Sequence, residues 1–335
     1  MSTPQLSVVI PAFNEEGNVL ALLAETVAAL RDGPDFEVIF VDDHSRDGTL
    51  ALLQGLADAA PRVGVIGLAR NFGKELALTA GLDHADGDAV VVLDADGQDP
   101  PELIPALVAK WREGFDVVYG TRTRRDGETW FKRFSAAAFY RVMAWLSRTD
   151  IPRDTGDFRL MSRPVLDALR GLRERQRFMK GLFTWVGFRQ VSFPYERESR
   201  MAGRTSFNYW KLWNLALEGI TSFSTVPLRL ATYLGLFTAV AAFGWGVWII
   251  VKTLVWDDPV QGWPSLMTVV LFLGGLQLVA LGIIGEYLGR LYMEAKQRPL
   301  FIVSEVRRHP IAANEEPDAG AVAGSEISEA IRVAG

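Results

Sequence analysis

The chain has 335 residues, a net charge of −5 and no cysteine. The charge argues against a nucleic-acid backbone as partner, and the missing thiols exclude disulfides, thiolate catalysis and cysteine-held zinc or iron–sulfur centres. Only His44, His84 and His309 supply imidazoles, and they are scattered, so any metal here is a hard cation held by oxygen.

The start, MSTPQLSVVIPAFNEE, has no basic leader and no long apolar core, so it does not read as a signal peptide and the N-terminal part is expected in the cytoplasm. LSVVIPAF then predicts a buried strand, and EEGNVLALLAETVAAL a helix by its apolar spacing. FEVIFVDD and DGTLALLQGLADA repeat the pair, as do VGVIGLA with GKELALTAGLDHA and DAVVVLDAD with PELIPALVAKW; FDVVYGTR is a fifth strand. Apolar strands alternating with helices predict a parallel sheet covered on both faces, in a doubly wound, nucleotide-binding-type α/β domain. Ligands in such sheets lie beyond the carboxyl ends of the strands. There the chain places AFNEE, VDDHSRDGT, ARNFGK, DADGQD and GTRTRR. Neither GxGxxG nor GxxxxGK[ST] is present, which argues against a dinucleotide dehydrogenase and a P-loop NTPase.

DADGQD carries the sharpest chemistry. Asp94 and Asp96 are two apart, so in an extended segment both carboxylates point to one side, and Gln98 continues the series if the chain stays extended. Two such carboxylates repel unless a cation lies between them. Mg²⁺ or Mn²⁺ fits, completed by phosphate oxygens. A solvated Asp-rich turn leading into a helix would carry the same letters. Pro100 and Pro101 stop the extended segment and start that helix.

The second half changes character. TWFKRFSAAAFYRVMAWLSR, about 129–148, spaces aromatic and basic residues as a helix in the headgroup layer would, and a second interfacial helix is expected at about 207–222, with Trp210 and Trp213. Residues 230–251 and 264–285 carry no charge, and each is long enough for the roughly 20 residues that span a bilayer. A pair of buried core helices is the competing assignment. The acidic loop WDDPVQGW lies between them, and Lys211, Arg229, Arg290, Lys296, Arg298, Arg307 and Arg308 flank the pair, so the loop is expected outside and both chain ends in the cytoplasm. The expected organisation is a catalytic domain with interfacial helices over 1–228, a membrane hairpin over 229–290, a juxtamembrane segment over 291–310 and a disordered tail over 311–335.

As a set, SVVIPAFNEEGNV, FVDDHSRDGT, ARNFGKELALTAGL, DADGQDPPELI and DTGDFRLMSRPV resemble the family 2 glycosyltransferases of GT-A fold. GITSFSTVPLR, the two spans and GEYLGRLYMEAKQRPLFIV resemble the polyprenyl-phosphate branch, in particular its bactoprenol glucosyltransferases. The resemblance covers about residues 5 to 305 and implies a doubly wound, mixed GT-A sheet. It implies a nucleotide-sugar donor, UDP-glucose first, with GDP-mannose or UDP-N-acetylglucosamine as rivals. It implies a polyprenyl (undecaprenyl) phosphate acceptor, a membrane setting, Mg²⁺ or Mn²⁺, and a homo-oligomer, a tetramer in that branch.

Carried over residue by residue, Pro11, Phe13, Asn14 and Glu15 form a nucleotide-contacting loop, and Asp42 and Asp43 take base and ribose. Asp94 and Ala95 touch the nucleotide, Asp94, Asp96 and Gln98 hold the metal, and Asp157 and Asp96 serve the chemistry, Asp157 under the sugar. A buried acid paired to Arg159 is the plainer reading of Asp157. Arg133 and Ser135 match positions near the lipid phosphate. From the residues themselves, Arg70 and Lys74 could meet nucleotide or sugar, Lys74 being equally readable as an exposed lysine at a helix start. Arg122, Arg124, Arg200 and Arg204 suit bidentate contacts to the lipid phosphate. Two departures stand out: His44 occupies a position where the family often has Gly, and Arg204 and Ser206 replace the acid and the lysine of R-x-x-G-E-S/T-K.

A lipid monophosphate is already largely ionised at neutral pH, its second pKa being about 6, so it can attack the anomeric carbon without a general base. Attack from the opposite face inverts that centre, giving a β-linked product from an α-linked donor. A processive polysaccharide synthase of the same fold would carry QxxRW; here Gln176 and Arg177 adjoin and no Trp follows at that spacing. A non-catalytic membrane scaffold would have no need of Asp94, Asp96 and Asp157 together.

Overall fold

Five apolar segments become strands as their composition dictates, and three more join them. The computed structural model describes residues 5–122, 155–175, 177, 179–195, 226–256, 262–308 and 331. In chain order these form β1 (Leu6–Ala12), α1 (Val19–Leu30), β2 (Phe36–Asp42), α2 (Thr49–Ala59), β3 (Val63–Leu68), α3 (Lys74–His84) and β4 (Ala89–Val92). A 3₁₀ turn (Pro101–Leu103) leads into α4 (Ile104–Arg112), then β5 (Val117–Arg122), β6 (Thr155–Ser162), α5 (Arg163–Gly171), α6 (Met179–Trp185) and β7 (Gln190–Tyr195). Two long helices, α7 (Val226–Trp256) and α8 (Trp263–Ala295), precede a last strand, β8 (Val303–Arg307). The expected interfacial helices at about 129–148 and 207–222 lie outside the described residues.

The strands form one sheet in the order β7-β5-β6-β4-β1-β2-β3-β8. β1 pairs in parallel with β2 and β4, and β2 with β3, as strand–helix alternation requires. The sheet is nevertheless mixed, as the family resemblance implied and alternation alone did not. The β4–α4–β5 crossover leaves a one-strand gap, and β6 fills it antiparallel to both neighbours.

Every residue of β1, β2 and β3 is buried, so these strands are covered on both faces. Val8, Ile10, Val38 and Phe40 pack with Leu22, Leu23, Leu53, Leu56, Ile104 and Leu107 of α1, α2 and α4. The opposite face takes α3, so closely that a Cβ on Gly81 would lie 2.3 Å from a methyl of Val9. Each fully buried Val, Leu or Phe side chain contributes roughly 1.5–3 kcal/mol before conformational entropy is counted. Within the expected tail, Ile331 packs against this core.

Residues 291–308 of the segment expected to be juxtamembrane hold a helix end and a strand. α8 runs on to Ala295, and β8 then pairs antiparallel with β3 as the sheet's edge. Arg308, read from sequence as a flanking membrane charge, ion-pairs with the buried Glu37 at 2.5 Å and with Asp86 at 3.1 Å. Arg307 pairs with Asp58 at 2.9 Å. These arginines serve the sheet's edge because β3 leaves room for the returning strand: a Cβ on Gly64 would sit 2.9 Å from Arg308 Cγ, and one on Gly67 2.9 Å from Glu305 Cγ.

The chain divides into two compact units, one holding the sheet with its helices and β8, the other the long helices. α7 and α8 are long and apolar enough to cross a membrane, over Leu228–Ile249 and Ser265–Ala295. Their side chains are exposed rather than packed in a core, Phe237 by 74% and Phe243 by 76%, which removes the buried-core-helix assignment.

Candidate active site

The polar loops at the carboxyl ends of the strands converge as the topology requires. β1 contributes Pro11, Ala12, Phe13 and Glu15; β2 contributes Asp43; the turn after β3 and the start of α3 contribute Asn71, Gly73, Lys74 and Ala77. β4 leads to Asp94, Ala95 and Asp96, β6 brings Gly156 and Asp157, and α6 brings Lys180. Together they line a cleft of about 620 Å³.

Register explains the central contact. β4 and β6 are antiparallel with Val92 opposite Arg159. Two residues on from Val92 and two back from Arg159, Asp94 and Asp157 come opposite one another. Lys74 Nζ lies between them, 2.7 Å from Asp94 Oδ1, 2.8 Å from Asp94 Oδ2 and 2.5 Å from Asp157 Oδ2. Its place is set from behind: both oxygens of Asp43 accept backbone hydrogen bonds, from Phe72 N–H at 2.7 Å and Gly73 N–H at 2.8 Å, just ahead of α3.

The charges shift one another. Desolvation pulls the Lys74 ammonium down, but Asp94 and Asp157 outweigh it and raise it above the ordinary lysine value. Burial pushes the Asp157 carboxyl up, but Lys74 and then Lys180, with the Lys74 hydrogen bond and Arg159, hold it at about 2. Glu75, next to Lys74, goes the other way. Burial first and Asp157 second lift it to about 7, against the pull of Lys74. The plainer reading of Asp157 does not hold either. Arg159 gives its guanidinium to the carbonyls of Gly156 and Asp157 and stacks over Phe183 at 3.8 Å, while the Asp157 carboxylate pairs with Lys74.

Several sequence-derived assignments change. The strand ends at Val92, and the chain turns through Ala95 and Asp96 to Gly97, whose φ is 67°. Asp96 Oδ1 accepts the Gln98 N–H at 3.2 Å, closing that turn. The extended alternation expected for Asp94, Asp96 and Gln98 therefore does not apply, and Gln98 is buried without lining the cleft. Asp42 is fully buried and accepts the Ser45 N–H at 3.0 Å. Asn14 ties the first loop to the second, its N–H donating to Ser45 Oγ and its Oδ1 accepting from Arg46 N–H, rather than lining the cleft. Arg70 stacks over Phe72 at 4.2 Å. Arg122 ends β5, and Arg124, Arg133, Ser135, Arg200 and Arg204 lie outside the described residues.

Sequence reasoning missed Lys180 and Glu75. Lys180 lies outside the motifs quoted above, and Glu75 lies within ARNFGKELALTAGL but was given no role there. Glu75 Oε2 accepts the Met179 N–H at 3.3 Å and so docks the start of α6, which carries Lys180 to the cleft. Only the tertiary fold brings them together.

Among the carboxylates lining the cleft, Asp94 and Asp96 stand together on the turn after β4 and could serve a hard cation. Among the described residues no cluster of three or more carboxylates and imidazoles forms a complete cage. Two carboxylates completed by substrate oxygens is a set that Mg²⁺ accepts.

Residues 7–170 match glycosyl transferase family 2, and residues 226–291 match the GtrB C-terminal hairpin. The chain is 51% identical to the uncharacterized glycosyltransferase sll0501 of Synechocystis sp., over 91% of this chain and 96% of that one. It is 47% identical to the SfII prophage-derived bactoprenol glucosyl transferase of Shigella flexneri, over 91% and 99%. The chain belongs to glycosyl transferase family 2. This glycosyltransferase is also 46% identical to the prophage bactoprenol glucosyl transferase homolog of Escherichia coli K12, over 91% of its own length and 100% of the relative. Among solved structures it is similar to glucosyl-3-phosphoglycerate synthase from Mycobacterium tuberculosis in complex with Mn²⁺ and UDP-Glc, at 25% identity and a TM-score of 0.44, covering 65% of this chain and 77% of that one.

Proposed function

We propose that this glycosyltransferase moves a glucosyl residue from UDP-glucose to a polyprenyl phosphate, undecaprenyl phosphate in the first instance, at the cytoplasmic membrane face, with inversion at the anomeric carbon. The observation that carries the reading is the convergence of Asp94, Asp96, Asp157, Lys74 and Lys180 on one cleft in a chain that also bears two membrane-length helices. The names of the relatives supply the acceptor and the sugar.

In this reading Pro11, Phe13, Glu15 and Asp43 border the nucleotide, and Lys74 and Lys180 face its diphosphate. Asp94 and Asp96 hold Mg²⁺ or Mn²⁺, which when bound neutralises charge on the leaving diphosphate. Asp157, held at about 2, is a poor proton acceptor at neutral pH. It anchors Lys74 instead, and the ionised acceptor phosphate attacks without a base. Assembly as a homo-tetramer belongs to the same proposal.

The test uses the purified full chain in detergent with Mg²⁺ or Mn²⁺, undecaprenyl phosphate and radiolabelled sugar nucleotides. Labelled lipid extractable into chloroform is expected with UDP-glucose, and Asp96→Ala is expected to reduce it by at least about 100-fold, the scale of removing one preorganised electrostatic group. No labelled lipid with UDP-glucose, GDP-mannose or UDP-N-acetylglucosamine would end the enzyme reading; label from one of the other two alone would change the donor.

A further inference from the structure

Lys74 stands in an unusual position for a cation that serves a nucleotide. Its ammonium reaches both oxygens of Asp94, at 2.7 and 2.8 Å, and Asp157 at 2.5 Å. Asp94 and Asp157 are largely buried beside it, although 47% of the Lys74 side chain as a whole is exposed. The contact sets a positive charge against both oxygens of Asp94, with a hydrogen bond to Oδ2.

A divalent cation on Asp94 needs those carboxylate oxygens. It would also bring two positive charges beside a third at contact distance, in a cleft where burial strengthens electrostatic interaction. Lys74 and the cation therefore exclude each other at Asp94. Asp157 is a second anchor, so Lys74 can release Asp94 without leaving the cleft. The diphosphate of an incoming donor then offers the ammonium new oxygens of the same charge.

We propose that Lys74 is a built-in competitor for the divalent cation: it holds Asp94 while the cleft has no donor, and it turns to the diphosphate, still tethered to Asp157, when cation and nucleotide bind together. The proposal rests on the metal assignment to Asp94 and Asp96 made above. Its consequence is ordered loading. The bare enzyme takes up the cation weakly and the nucleotide complex takes it up well, because the nucleotide removes the competitor. By linkage the cation strengthens nucleotide binding by the same factor.

Mn²⁺ binding to the full chain in detergent, followed by electron paramagnetic resonance without any sugar or acceptor, tests this directly. Without nucleotide, Lys74→Met is expected to bind Mn²⁺ about tenfold tighter than wild type, a factor typical of coupling between sites, and with Mn²⁺ present to bind UDP about tenfold more weakly. Lys74→Arg keeps the charge and is expected to stay well below Lys74→Met in affinity for Mn²⁺ alone. Should Lys74→Met and wild type bind Mn²⁺ equally without nucleotide, or Lys74→Arg bind as tightly as Lys74→Met, the competitor role is overturned while the metal site stands. No Mn²⁺ uptake by any of the three proteins, even with UDP, overturns the metal assignment and this proposal together. A measurement on wild type alone guards against a misfolded variant. Amine acylation at Lys74, read by mass spectrometry, is expected to rise several-fold with Mn²⁺ alone and to fall again with Mn²⁺ plus UDP. Acylation that Mn²⁺ leaves unchanged counts against the displacement.

Discussion

Asp43 shows how a single side chain sets this cleft. It lines the cavity, yet both of its oxygens hold the backbone ahead of α3. Asp43→Ala would leave two amide groups short of their partners, at about 1–3 kcal/mol in stability, and would loosen the approach of Lys74. The expected outcome is a lower thermal midpoint together with weaker UDP binding in the same variant. Glu75 makes a prediction about pH. Its pKa is raised to about 7 in the fold from 4.5, so between those values the folded chain holds a proton that the unfolded chain has lost. Stability then falls as pH rises through that window and is level above it. Glu75→Gln can still accept the Met179 N–H. It is expected to match wild type near pH 4.5 and to be more stable at pH 8 by on the order of 1 kcal/mol, discounted for partial solvent access; thermal melts at the two pH values check this. Asp157 behaves oppositely: its depressed value gives stability that is lost only as pH falls towards 2. At this scale the letters were partly legible. His44, where a glycine is usual in the resembling family, does adopt a left-handed φ of 61°. Gln98 does not line the cleft because the strand stops at Val92 and the period-2 alternation stops with it.

At the scale of elements, two of the three strands that alternation could not foresee, β6 and β8, do the most to shape the site and its frame. β6 runs against its neighbours and thereby brings Asp157 back to the carboxyl end of β4. Its letters, TGDFRLMS, alternate poorly because seven of the eight residues are buried or nearly so, so periodicity left them unassigned while the family motif marked them. β8 is short and half polar, alternating half-buried and exposed residues along the strand, the pattern of an edge. Arg308 fixes it by meeting Glu37, which also accepts from Ser7 Oγ at 2.6 Å and from the Asp86 N–H at 3.0 Å. Arg308→Ala strands a buried carboxylate and is expected to cost about 2 kcal/mol. The double variant with Glu37→Gln should recover part of that loss, and thermal denaturation of all four proteins gives the coupling.

At the scale of the whole molecule, the hairpin was the most legible feature of all. Two uncharged runs of spanning length leave little choice of structure, and both became helices. What the runs could not announce is that the chain beyond them belongs to the sheet. Truncation after residue 225 therefore removes β8 as well as the hairpin, and leaves the edge of β3 unpaired. Such a truncation is expected to aggregate. A version joining residue 225 to 299 through a flexible linker is expected to stay dispersed and to melt at a higher temperature, as light scattering and calorimetry would record.

β8 also places the molecule in time. A ribosome delivers the sheet's first seven strands early and its eighth only after some seventy residues of hydrophobic hairpin have been made. Domains begin to fold as they emerge, N-terminal part first. The nascent enzyme thus carries an open sheet edge until translation has passed the two membrane-length helices, and completion of the sheet comes after that hairpin has been synthesised, never before it.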